Sequence, residues 1–155
     1  MELLIKTIAS FFGLGYAPVA SGTFGTIGGV LVFWLEKDSP FIIRIVTFLF
    51  IFFIGVWAAH NADEIWGTHD NGKIVIDEVA GYFVSILFFD FSWFLAGFAF
   101  IAFRFFDITK IYPASYFDKN IKNGFGVMFD DVVAGLYSLI AVYLFYLSGI
   151  HYGWL

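Results

Sequence analysis

The sequence predicts an all-α fold: a polytopic helical bundle in a membrane, with about four to five membrane segments and an N-terminal interfacial helix. Two observations carry this expectation. Hydrophobic residues make up 61% of the chain and charged residues only 14%, with a mean hydropathy of +0.87. A water-soluble domain of this size would expose too much of that apolar surface, whereas lipid suits it. In addition, the acids are clustered between apolar runs rather than spread along the chain. The 155 residues fit one domain, residues 1–155. With no cysteine, disulfides and thiolate metal sites are excluded. No nucleic-acid partner is expected, and residues 1–12 do not read as a secretory signal, because Lys6, Thr7 and Ser10 break the apolar run.

Residues 3–12 gather Leu3, Leu4, Ile8, Phe11 and Phe12 near one face, as an interfacial helix would. A Gly-rich loop is predicted over 13–26 (GLGYAPVASGTFGT), followed by an apolar segment over 27–35. Glu36-Lys37-Asp38-Ser39-Pro40 reads as a turn, with Pro40 suited to starting a helix. Residues 41–59 form the clearest span, 19 residues whose one charge, Arg44, is near an end and can snorkel to the surface. A polar loop is expected over 60–72. Apolar segments at 74–89 and 93–106 flank Asp90-Phe91-Ser92, a polar region covers 107–131, and a last segment covers 132–150 before the aromatic HYGWL terminus.

The segment from 74 to 106 is either one tilted span or a hairpin of two short helices. A hairpin puts Asp77 and Asp107 on the same side of the membrane. It also sends Lys6, Lys73, Lys110, Lys119, Lys122 and Arg104 to one face and only Lys37 and Arg44 to the other. Charge bias and co-location of the polar groups both favour the hairpin, with the polar face cytoplasmic.

Three acidic groups then stand at segment ends: Asp77-Glu78, Asp107 and Asp130-Asp131. Ionisable groups at membrane depth usually pair with something or bind something. Oxygen donors gathered without cysteine favour Mg²⁺, Mn²⁺ or Ca²⁺. The bland alternative is that acids preceding apolar runs answer a helix dipole. Arg104, Asp107 and Lys110 follow one another at three-residue spacing, so Arg104 and Asp107 are helix neighbours. They form a plain ion pair, or Asp107 holds a metal while a cation holds a phosphate. The stretch PVASGTFGT (18–26) could cradle an anion ahead of a helix, but it lacks the lysine of a P-loop, and on spacing alone it reads more readily as a simple turn than as an anion site. His60, His69 and His151 are expected at the surface. These residues describe a cation-assisted, phosphate-compatible site for a lipid headgroup, without choosing among hydrolysis, transfer and transport. A non-catalytic transporter or flippase for an anionic lipid or ion is the rival, and it requires polar residues threaded through several spans.

Three stretches resemble the phosphatidylglycerophosphatase A family: PVASGTFGT (18–26), IVIDEVAGY (74–82) and FRFFDITKIYPASYFDKNIKNGFGVMFDDVVAGLY (103–137). The last joins Arg-x-x-Asp-x-x-Lys, a Pro, an Asp, Gly-x-Gly and Asp-Asp-x-x-Ala-Gly. The resemblance implies a Mg²⁺-dependent enzyme of the bacterial cytoplasmic membrane that removes the terminal phosphate of phosphatidylglycerophosphate. It carries the metal-binding acids onto Asp77, Glu78, Asp107, Asp130 and Asp131. Arg104 and Lys110 become the catalytic cations beside Asp77, Asp107 and Asp131. Ser21, Gly22, Thr23, Gly25 and Thr26 become the phosphate or headgroup loop. Asp118 and Asn123 lie in the matched run without an assigned role, and the 60–73 loop, with Asp63, His69 and Asp70, matches loosely.

Overall fold

Turn residues in the sequence become the joints of a helical structure. The computed structural model describes residues 1–68 and 70–152, so His69 and the last three residues of the aromatic terminus lie outside it. Among the described residues there are helices and no strand: α1 (Glu2–Ala9), a 3₁₀ turn (Leu14–Tyr16), α2 (Ser21–Leu35), α3 (Phe41–Trp66), α4 (Ile76–Ile86), α5 (Trp93–Thr109), α6 (Ala114–Asn120) and α7 (Gly124–Tyr152). Pro40 precedes α3 as expected. Gly67, in the left-handed region at φ 68°, closes that helix, and its N–H donates to Asp63 O at 2.9 Å.

The region from 74 to 106 is two helices, α4 and α5, separated at residues 87–92. They run as a hairpin, because Arg104 near the end of α5 reaches Glu78 in the first turn of α4, Nη1 to Oε1 3.7 Å. The α4 helix is the centre of the molecule, and every residue of it except Glu78 is buried. Small residues let neighbouring backbones come close to it. A Cβ on Gly135 of α7 would stand 2.3 Å from Gly81 O of α4, and one on Gly29 of α2 would stand 2.9 Å from the Tyr82 ring.

Four expectations change. The predicted loop over 13–26 ends at Ala20, and Ser21–Thr26 form the first turns of α2, because Gly22, Gly25 and Gly29 present a side-chain-free stripe to the site and α4. The polar loop predicted from 60 continues α3 to Trp66. The last helix begins at Gly124, not 132, since Gly124 and Gly126 pack where a Cβ would lie 2.1 Å from Val56 O and 1.9 Å from Ile121 O. Asp130 and Asp131 therefore lie well inside α7, beyond the reach of its N-terminal dipole. Finally, Arg44 does not snorkel. It is 5% exposed, donating to Phe89 O at 2.7 Å and Lys37 O at 3.1 Å, and so ties the 36–40 turn to the hairpin tip.

Two helices, α3 and α7, are long and apolar enough to cross a membrane, and only 22% and 33% of their most apolar windows are buried. The remaining apolar surface faces outward, as Phe50, Phe53 and Leu144 do, which is the arrangement that lipid solvates. The other segments are shorter: α2 has 15 residues, α4 has 11 and α5 has 17. At a rise of roughly 1.5 Å per residue, α4 covers only about half of a ~30 Å hydrocarbon core.

Substitution at the α4–α7 crossing tests this packing. Gly135→Ala should destabilise the protein in detergent by about 1–3 kcal/mol, read as a lowered thermal midpoint. Gly97→Ala, where a Cβ meets nothing within 4 Å, should be neutral or slightly stabilising, as expected for an exposed helix-interior glycine.

Candidate functional site

Four elements meet at the end of the bundle where α4 begins. The first turn of α4 supplies Asp77 and Glu78. The end of α5 supplies Arg104 and Asp107, with Lys110 as the residue that closes the helix at φ 43°. Asp130 and Asp131 come from α7, and Ser21 and Gly22 from the start of α2. Their side chains surround a cavity of about 400 Å³, lined by Ala20, Ser21, Gly22, Asp70, Gly72, Ile74, Asp77, Glu78, Arg104, Asp107, Ile108, Lys110 and Asp131.

Asp77, Glu78 and Asp131 each bring a carboxylate oxygen to within 4.8 Å of the others. Asp77 and Asp131 are buried, and Glu78 nearly so. Asp77 Oδ1, Glu78 Oε2 and Asp131 Oδ2 are sealed from solvent and accept no hydrogen bond among the described residues. Buried acceptors are normally satisfied, and like charges this close cannot all ionise unless something positive stands between them. Converging oxygens with spare lone pairs and no thiolate form a donor set that fits a hard divalent cation.

The other two expected ligands have cationic partners. Asp107 Oδ2 accepts from Arg104 Nη1, the helix-neighbour contact that their spacing predicts. Arg104 Nε is buried without a partner among the described residues. Asp130 Oδ2 accepts from Lys110 Nζ, and Asp118 Oδ1 accepts from the same nitrogen at 2.9 Å. Burial alone would lower the pKa of Lys110, but Asp130, Asp131 and Asp118 outweigh it and hold the pKa above the ordinary lysine value. Lys110 is therefore a permanent cation at the cavity rim. Of the five acids read from the sequence, three converge, while Asp107 and Asp130 engage Arg104 and Lys110.

The expected anion loop divides in the same way. Ser21 and Gly22 line the cavity. A Cβ on Gly22 would lie 2.1 Å from Glu78 Oε1 and 2.9 Å from Arg104 Nη1, so a larger residue would push the ends of these two side chains aside. Ser21 Oγ donates to Gly72 O at 2.6 Å, fastening the loop that carries Asp70. Thr23, Gly25 and Thr26 belong to the helix itself. Thr23 N donates to Ala20 O at 2.8 Å, Gly25 packs on Val75, and buried Thr26 donates back to Gly22 O at 2.9 Å. His60 and Asn123 line a separate surface hollow, and Asp63 also lies outside the cavity lining.

Sequence reasoning left Asp70 without a role and missed Ala20, Gly72, Ile74 and Ile108. Ile108 was findable, since it is one helical turn beyond Arg104. Asp70 and Gly72 were not, because an irregular loop carries them and long-range contacts place it, Ser21 Oγ to Gly72 O and Val75 N to Ala9 O among them.

A family model described as phosphatidylglycerophosphatase A matches residues 7–146. A phosphatidylglycerophosphatase A of Haemophilus influenzae is 40% identical over 144 residues, covering 90% of this chain and 86% of its own length. One from Escherichia coli is 33% identical over 139 residues, covering 88% and 80%. A Bacteroides thetaiotaomicron protein described as a candidate phosphatidylinositol-3-phosphatase is 33% identical over 144 residues, covering 87% and 89%. No solved structure matches the chain.

The donor set is testable without turnover. Mg²⁺ at about 100 times its Kd should stabilise the purified protein by roughly 2.7 kcal/mol. The double variant Asp77→Asn/Asp131→Asn should lose that shift in thermal midpoint.

Proposed function

The chain belongs to the phosphatidylglycerophosphatase A family, and from that premise we propose that it is a Mg²⁺-dependent lipid phosphatase. It hydrolyses phosphatidylglycerophosphate to phosphatidylglycerol and phosphate in bacterial phospholipid synthesis. The observation that carries this reading is one cavity in which three unsatisfied buried carboxylates face Arg104 and Lys110.

Asp77, Glu78 and Asp131 would hold the cation, with Asp107 and Asp130 keeping the neighbouring cations in place. When bound, Mg²⁺ supplies charge neutralisation and Lewis-acid polarisation at the phosphoryl group. Arg104, which lines the cavity, donates to the phosphoryl oxygens, and Lys110 adds a fixed positive charge as negative charge develops. Asp77 or Asp131 orients the attacking water. A bond forms from the water oxygen to phosphorus, the phosphorus–oxygen bond to the glycerol breaks, and the departing oxygen takes up a proton to leave phosphatidylglycerol. Formation of an aspartyl-phosphate is the competing route, and a phosphorylated aspartate trapped after brief substrate exposure would favour it.

The same reading makes residues 1–155 a single domain with about four to five membrane segments, α2, α4 and α5 joining the two long helices in the bilayer. Its site faces the cytoplasm of the inner membrane. Support comes from the lysines, since Lys6, Lys73, Lys110, Lys119 and Lys122 lie on the polar side and Lys37 on the other. Against a transporter, the buried polar side chains deeper in the bundle are spent on backbone carbonyls: Tyr82 on Ala96 O at 3.1 Å, Ser85 on Gly81 O at 3.0 Å and Ser138 on Ala99 O at 3.4 Å. The Bacteroides relative makes a phosphoinositide monophosphate the competing substrate.

Phosphate release from phosphatidylglycerophosphate should require Mg²⁺ and fall by roughly 10²-fold or more in Arg104→Gln. Asp107→Asn should fall similarly, since it removes the carboxylate that holds Arg104 off the acidic triad. Full activity in chelator would overturn the metal assignment. Faster turnover of phosphatidylinositol 3-phosphate would replace the substrate assigned here.

A further inference from the structure

We infer that Asp118 is a positioning residue: it acts through Lys110, holding the ammonium at the cavity rim. This rests on the proposed reaction for its catalytic consequence, but its geometry stands apart from it. Lys110 follows the last residue of α5 in a left-handed conformation, so its backbone is turned away from the helix and its long side chain alone returns Nζ to the site. Such a chain has several rotatable bonds and loses substantial freedom when fixed. Two carboxylates fix it. Asp130 Oδ2 reaches it from α7, and Asp118 Oδ1 reaches it from α6 at 2.9 Å.

The two anchors differ. Asp130 is 3% exposed, and its other oxygen accepts from Asp131 N at 3.0 Å, so it cannot move with the lysine. Asp118 is half-buried and stands on the short α6 helix. With Asp130 alone, the ammonium would have a single anchor on the acidic α7 side. With both, it is suspended between two helices and keeps a face toward the cavity it lines.

The packing of α6 does not depend on Asp118. Its neighbour Phe117 packs on Phe129 of α7 at a ring separation of 4.6 Å, Ala114 is buried, and Tyr137 Oη donates to Tyr112 O at 2.8 Å just before the helix. The fold at this position is therefore secured by apolar contacts and a backbone acceptor, leaving the Asp118 carboxylate free to serve Lys110. This also gives a use to the residues between the Arg-x-x-Asp-x-x-Lys pattern and the paired aspartates: they fold back to bring a second carboxylate over the lysine.

The test uses the full-length protein in detergent and two readouts. Brief acetic anhydride treatment, followed by mass spectrometry, compares Lys110 with Lys119 without any substrate. Asp118→Asn should raise labelling of Lys110 relative to Lys119, while Asp118→Glu should restore protection. With phosphatidylglycerophosphate, Asp118→Asn should lower kcat/KM by about tenfold, the loss of one charge-assisted contact. It should cause no further loss in a Lys110→Gln background. Unchanged Lys110 labelling in Asp118→Asn, or an equal additional loss on top of Lys110→Gln, overturns the inference. If wild-type protein releases no phosphate, the proposed reaction falls, and the labelling result alone decides the role of Asp118.

Discussion

Carboxylates held away from water must be given positive partners, and the polar end of this molecule is organised around that requirement. The apolar bundle puts Asp77, Asp107, Asp130 and Asp131 in places with little solvent. Water would otherwise stabilise their charge at no cost to the fold. Here the chain answers with two cations of its own, Arg104 and Lys110. Those two reach Asp107, Asp130, Asp118 and, more distantly, Glu78. They leave oxygens of Asp77, Glu78 and Asp131 uncompensated and close together. The division is uneven: one set of acids is neutralised from within, and the other keeps oxygens without a partner among the described residues.

Close backbone packing makes that division possible. Gly22 lets the start of α2 approach Glu78 and Arg104, and Gly81 lets α4 meet the α7 backbone at Asp131 O, where a Cβ would stand 2.6 Å away. A larger residue at Gly81 would press the α4 and α7 backbones apart, and one at Gly22 would displace the ends of Glu78 and Arg104. At the far end Arg44 performs a different task, tying two turns through carbonyl oxygens.

Much of this could be read before any coordinates. Asp77, Asp107 and the paired aspartates stood at the ends of apolar runs, and the break at Asp90-Phe91-Ser92 required a hairpin if they were to meet. That reasoning gathered these side chains at one end, where the structure also has them, because charge at membrane depth is costly wherever it occurs. What it could not assign was partnership. Nothing in the local sequence distinguishes Asp130, which takes Lys110, from Asp131, which joins the open triad, because the difference is a rotation of about 100° along one helix. The start of that helix was itself hidden. Gly124 and Gly126 look like loop residues until their close contacts with Val56 and Ile121 are seen. The stretch from Ser21 to Thr26 was misjudged for the same reason, since glycine and hydroxyl residues signal a loop only when no neighbouring helix demands small side chains. Arg44 was assigned to the surface by a rule for lone helices, which fails when two turns offer it carbonyl acceptors.

The internal ion pairs also explain why the triad stays open. A guanidinium or ammonium unrestrained beside three acids would settle among them, satisfying the oxygens and closing the site to any other cation. Asp107 prevents this for Arg104, engaging Nη1 while Nε remains without a partner among the described residues. Asp130 and Asp118 do the same for Lys110. The paired acids thus contribute by holding the basic side chains at a distance at which both can face a phosphate monoester while the open carboxylates remain available. In the proposed reaction this separation is what allows positive charge from the chain and positive charge from a bound cation to act on the same phosphoryl group from different sides.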